Sequence, residues 1–128
     1  MSDPYQIRKR QEELADRQWP IADIEAHFNR LVQRGLPQKT LDREKMLREK
    51  EAILNRVQRQ AEDYCYLMRN CAKSSATALL EEFGLGNLDI IRALGSFPGL
   101  AMSGGICGPV AGGLTVLGLF FSHPDITK

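Results

Sequence analysis

Thr40 to Met68 reads TLDREKMLREKEAILNRVQRQAEDYCYLM. Leu47, Leu54, Ala61 and Met68 recur at seven-residue intervals, and Val57 and Tyr64 fill the positions between them. Apolar residues spaced by three and four make one stripe on a helix, whereas a half-buried strand would alternate them. The alternating charges from Asp42 to Glu51 fit the solvated face of the same helix. The stretch therefore predicts a long helix over 40–69 with one apolar seam, and with it an all-α fold: a small helical bundle with one long central helix. A bundle within the chain can bury such a seam, and so can a second subunit. A homodimer through the long helix is the expectation.

Upstream, Asp3 and Pro4 suit the cap and first turn of a helix over about Tyr5 to Gln18, with Ile7, Leu14 and the stem of Arg8 on one side. Trp19-Pro20 ends or kinks it, because proline disfavours helical geometry in the residue before it. A second helix is expected from Ala22 to Gln33, with Ile24, Phe28, Leu31 and Val32 apolar and Gly35 as its stop. These elements make an N-terminal pair over 1–38 of a single helical domain spanning 1–128.

Downstream, small residues take over in CAKSSATALLEEFGLG, residues 71–86, which predicts a close-packed helix from Cys71 to Phe83 closed by Gly84 or Gly86. Ala72, Ser75, Ala76, Leu79 and Leu80 are its expected packed side. A short helix over Leu88 to Leu94, capped by Asn87, follows, and Gly95 to Gly99 reads as loop. From Ala93 to Pro124 there is no Asp, Glu, Lys or Arg. Within that stretch GGICGPVAGG, residues 104–113, is a Gly-rich loop before an apolar C-terminal helix ending at Phe121, with Pro109 in its first turn. Residues 70–122 thus form a Cys- and Gly-rich half.

A membrane span is disfavoured, since Ser96, Pro98, Gly99, Ser103, Gly104 and Gly105 interrupt the uncharged stretch and leave Val110 to Phe121 as its apolar part. A crossing needs about 20 such residues. Gly104, Gly108 and Gly112 make a GxxxGxxxG face, which serves contacts between membrane helices and equally lets a soluble helix press on a neighbour. Seventeen basic against sixteen acidic residues leave a net charge of +1, which argues against a nucleic-acid-binding surface. Three cysteines and a charged N-terminus fit neither a secreted disulfide framework nor a signal peptide, so a reducing cytoplasm is expected.

The cysteines are the candidates for chemistry. At the start of the last helix Cys107 would face free backbone N–H groups and the positive end of the helix dipole, which favour a thiolate. Gly104, Gly105, Gly108 and Gly112 would let backbone or a cofactor approach it closely. Cys107 also fits as a small buried hydrophobe in a Gly/Ala-rich contact. Cys71 follows Asn70, a potential cap, and either begins a new helix or lies within a continuous one. Cys65 suits core packing, with a third metal thiolate as the alternative, and its spacing to Cys71 is not that of a CxxC site. His27 and His123 suit packing or solvent better than metal binding.

Asn70-Cys71-Ala72, then Cys107-Gly108-Pro109-Val110-Ala111-Gly112 and the apolar run Gly113 to Leu119, resemble the redox-active protein family recognised by four cysteines and a CGAxxG-type motif (C_GCAxxG_C_C). The resemblance covers about Tyr64 to Phe121. It implies that Cys71 and Cys107 take the places of the first two family cysteines, which bind a metal or cluster or undergo redox change. Pro109 stands where the family has alanine, Lys73 where glutamine is common, and the last two family cysteines have no counterpart up to Lys128. A four-thiolate zinc or iron–sulfur site then needs a second subunit or a partner.

The leading expectation is a small redox or metal-binding protein, with Cys71 and Cys107 as its active pair and Cys65 as a further ligand, transferring electrons or a cluster to a protein partner. The alternative is a non-catalytic helical assembly module with a degenerate cysteine site. A ligand pocket lined by the apolar helix is a third reading, for which covalent haem attachment has no CxxCH motif. The glycine-rich stretch carries no acid/base residue and lacks the Lys-Ser/Thr end of a phosphate loop, so a stand-alone enzyme is not favoured.

Overall fold

A computed structural model of the chain describes residues 3–97 and 107–128. Among these residues every regular element is helical. Seven α-helices follow in order: α1 Pro4–Asp16, α2 Ile21–Arg34, α3 Arg43–Arg48, α4 Lys50–Met68, α5 Cys71–Phe83, α6 Leu88–Ala93 and α7 Gly108–Phe121, with a 3-10 turn at Leu94–Ser96. The all-α class is as the periodicity predicts.

Local chemistry sets most boundaries. Asp3 accepts from the Tyr5 amide at 3.0 Å, Asp42 from that of Lys45 at 3.2 Å, and Asn87 from those of Asp89 and Ile90, each satisfying N–H groups that a helix start leaves free. Gly35 and Gly84 close α2 and α5 with φ of 78° and 65°, where a side chain would be strained. At Gly84 an added Cβ would also lie 2.6 Å from the Lys39 amide nitrogen, which donates to the Gly84 carbonyl at 3.0 Å. This contact fixes the α2–α3 linker on the end of α5.

α5 is the most buried helix. Ala72, Ala76, Thr77, Ala78 and Leu80 are sealed from solvent, and Ser74 nearly so. The hydroxyls of Ser74 and Thr77 are satisfied by carbonyls one turn back, so the polar atoms need no solvent. α4 and α5 form a helical hairpin joined through Arg69 and Asn70, with α7 on another side of α5. Small residues on α5 allow this close approach on two sides. α2 covers the hairpin, placing Phe28 edge-on to the buried ring of Tyr64. α1 buries no residue and is tied to α4 by ion pairs of Arg10 with Glu62 and of Arg17 with Glu62 and Asp63.

Several expectations need correction. The helix expected over 40–69 is two segments that meet at Glu49, whose φ and ψ of −98° and 14° leave the helical basin. The ladder bridges the bend, from the Glu49 amide to Lys45 and from the Ile53 amide to Glu49. The bend lets Leu41 and Met46 share an apolar groove with Phe83 and Phe120. The seam also differs: Ile53 and Tyr64 are buried, whereas Leu47 and Leu54 are 63% and 52% exposed. Val32 and Ile7, expected on apolar faces, are also exposed. Part of the Gly95–Gly99 loop is the 3-10 turn; its last two residues lie outside the described residues. Among the described residues no helix is long and apolar enough to cross a membrane.

Candidate functional site

Two helix starts meet where the sequence places its chemistry. Asn70 accepts from the Lys73 amide at 3.0 Å, so Cys71 is the first residue of α5 and not the interior of a longer helix. The other half of the Asn70 amide donates to the Gly95 carbonyl at 3.1 Å, holding the 3-10 turn beside this end. Arg69, the preceding residue, takes φ 53° and turns the chain sharply between α4 and α5.

Cys107 is the N-cap of α7, with Pro109 in the first turn, and its side chain makes no capping bond. Gly108 rests directly on the Cys71 sulfur: a Cβ there would overlap Sγ and lie 3.0 Å from the Ala72 amide nitrogen. One turn on, a Cβ at Gly112 would lie 2.5 Å from Ser75 Oγ and 2.7 Å from the Ala72 carbonyl oxygen. Further along, Phe120 meets Phe83 edge-on at 5.8 Å. Contacts of 108 with 71, 112 with 75 and 120 with 83 show that α5 and α7 run parallel in constant register, with both positive helix ends on the cysteine side.

The structure thus brings Cys71 and Cys107 to one end of a helix pair, Cys71 half-buried and Cys107 exposed. Gly108 and Gly112, read from sequence as making room for a cofactor, are occupied by contact with α5. Gly104 and Gly105 lie outside the described residues. Cys65, in the last turn of α4, is half-buried and lines a groove with Cys71 on the side facing Trp19 and Tyr66. His27 is engaged by Glu81; its Nε2 lies 2.6 Å from Glu81 Oε1. His123 belongs to the segment after α7, where its Nδ1 accepts from the Asp125 amide.

One observation on this fold bears on metal binding. A tetrahedral zinc or iron–sulfur site takes four ligands, usually thiolates with or without imidazole. Among the described residues no three His, Cys, Asp or Glu side chains converge as a metal would require. The described residues of one chain therefore gather no such donor set.

Residues 69–128 match the family model described as "Putative redox-active protein (C_GCAxxG_C_C)". No curated protein and no solved structure gives a match. The matched stretch begins at the α4–α5 turn and contains both Cys71 and Cys107 and the whole of the α5–α7 contact, so the resemblance read from the sequence is borne out there. The C_GCAxxG_C_C match excludes Cys65, which precedes it.

Sequence reasoning missed two groups. Tyr64 is 1% exposed and donates to Glu81, whose other oxygen meets His27. Burial, then the hydrogen bond to Glu81, pushes the Tyr64 phenol above its ordinary range, so it remains a neutral donor. The second is a stack in which the rings of Trp19 and Tyr66 lie 4.7 Å apart, with Arg17 4.2 Å over Trp19 and Arg69 5.2 Å over Tyr66. Trp19 next to Pro20 signals only a helix end in the sequence; its partner comes from a distant helix.

Proposed function

We propose that this chain is a thiol redox protein whose working pair is Cys71 and Cys107. The observation that carries it is the seating of Gly108 on Cys71 Sγ, which makes Cys107 the chain neighbour of a residue touching that sulfur. The description of the matched family supports a redox role in general terms. Exposure suits Cys107 to meet a partner, and the half-buried Cys71 suits resolution of the mixed species.

The chemistry is thiol–disulfide exchange with a protein disulfide as oxidant. The Cys107 thiolate attacks one partner sulfur, forming a mixed disulfide and releasing the other partner sulfur as a thiolate that takes up a proton. The Cys71 thiolate then attacks Cys107 Sγ, forming the Cys71–Cys107 bond and releasing the second partner thiol. Two thiols of this chain lose two electrons and the partner disulfide gains them. A cytoplasmic setting belongs to the same reading, because there the pair is returned to the dithiol by the thiol pool.

Redox titration in buffers of reduced and oxidised dithiothreitol tests this. A two-electron couple is expected in the native chain and is expected to vanish in Cys71→Ser and in Cys107→Ser but not in Cys65→Ser. A couple that survives either of the first two substitutions would refute the assignment.

A second reading has an observation of its own. Leu47 on α3 and Leu54 on α4 keep half or more of their surface open, which suits a homodimer through the α3–α4 segment. Two copies could then supply two pairs of Cys71 and Cys107 to a zinc or iron–sulfur centre serving electron or cluster transfer, and an assembly role without chemistry would use the same face. Iron, zinc and sulfide content per subunit after anaerobic purification separates these: stoichiometric metal favours the shared centre, and metal-free dimer the other roles.

A further inference from the structure

The groove between the end of α4 and the α1–α2 link has about 480 Å³ of space and an almost wholly apolar lining. The stacked rings of Tyr66 and Trp19 form part of its wall, Leu14 contributes from α1, and Cys65 and Cys71 line it from the other helices. Two charged residues border it. Glu62 is already neutralised by Arg10 and Arg17, whereas Arg69 makes no ion pair among the described residues. The groove therefore offers an apolar lining, one cation without an ion pair among the described residues and a thiol of the proposed pair. A small-molecule site has this size and character, apolar with few placed polar groups.

We propose that the groove binds a low-molecular-weight thiol, or its disulfide, that carries a carboxylate and an apolar part, and that it delivers the sulfur of this compound to Cys71. This rests on the dithiol reading and adds a second substrate, one that meets Cys71 and not Cys107. In reduction, the small thiolate attacks Cys71 Sγ of the Cys71–Cys107 bond; a mixed disulfide forms on Cys71 and Cys107 leaves as a thiolate that takes up a proton. A second small thiolate attacks the sulfur of the bound compound, forming the small disulfide and freeing Cys71. Two small thiols are oxidised and one protein disulfide is reduced. The apolar lining holds the apolar part, and Arg69 holds the carboxylate.

The test uses the reverse half-reaction in a full-length Cys65→Ser/Cys107→Ser chain, where Cys71 is the remaining thiol. Two aromatic disulfides serve as probes: 5,5′-dithiobis(2-nitrobenzoate), which carries carboxylates, and 4,4′-dithiodipyridine, which does not. Arg69→Leu is expected to lower the ratio of their rate constants by roughly three- to fivefold, the effect of one exposed ion pair. Arg69→Lys should keep most of the preference, and circular dichroism checks that each variant is folded. An unchanged ratio in Arg69→Leu, or a Cys71 inert to both probes, would overturn the groove assignment. The dithiol reading is tested separately in the native chain, by whether Cys71 and Cys107 form a reversible couple, so the two can fail independently.

Discussion

Gly108 on α7 lies against the sulfur of Cys71 on α5 with no room for a methyl group between them. The Cys71 sulfur can turn aside only about one bond, and the Ala72 backbone nitrogen, 3.0 Å from an added Cβ, cannot turn at all. Gly108→Ala is expected to destabilise the protein by about 1–3 kcal/mol, the cost of overpacking, although alanine is the better helix former. Gly112→Ala should behave alike, against Ser75 and the Ala72 carbonyl. Urea unfolding measures both, and Gly113→Ala, with open space around it, is the control.

Tyr64→Phe removes the donor to Glu81 and leaves that carboxylate with His27 alone. Loss of a hydrogen bond to a charged group at so buried a position should cost about 2 kcal/mol. Because burial holds the phenol above its ordinary range, absorbance titration of the native protein should show Tyr64 ionising only above the ordinary tyrosine range. Ionisation of Tyr64 within that range would contradict the buried triad.

Two carboxylates give opposite pH dependence. The hydrogen bonds from Arg56, at 2.7 and 2.5 Å, hold Glu82 below its ordinary value, so its contribution is present above the unfolded pKa of about 4.3 and lost as pH falls through the lower folded value. Burial pushes Asp63 up despite Arg17 and Arg59, so its contribution is present below the unfolded pKa of about 3.9 and lost as pH rises through the raised folded value. Glu82→Gln should therefore flatten the loss of stability on acidification below about pH 4.5, and Asp63→Asn the loss on raising the pH above about 4. Chemical denaturation from pH 3 to pH 7 reads both.

Arg69 holds a left-handed φ that glycine would adopt freely. Arg69→Gly should gain about 1 kcal/mol from the backbone while removing the cation over Tyr66. A more stable protein with a weaker preference for a carboxylate-bearing disulfide is the expected pair of results, from denaturation and thiol kinetics.

Much of this architecture was legible because its determinants are local. Asn70 and Asn87 cap the helices that begin after them, Gly35 and Gly84 close theirs, and Pro109 sits in a first turn, all by short-range geometry that the sequence displays. The side of α4 that is buried was less so. The bend at Glu49 takes Leu47 off the line of α4, and within α4 a strict seven-residue repeat drifts by about 20° per heptad, so Leu54 leaves the face that Tyr64 and Met68 share and Ile53 takes the buried place. The convergence of Cys71 with Cys107 was legible only through the family motif. Apposition of the cysteines depends on the parallel register of α5 and α7, and Trp19 meets Tyr66 only once α1 and α4 are assembled.

The central claim is best tested by mapping the disulfide directly. The protein would be oxidised with a mild thiol oxidant, its remaining thiols alkylated, and its peptides analysed by mass spectrometry before and after reduction. The account predicts an intrachain link between the Cys71 and Cys107 peptides, with Cys65 alkylated, and full return to free thiols on reduction. A link from Cys65 to either cysteine, or free Cys71 and Cys107 after oxidation, would contradict it.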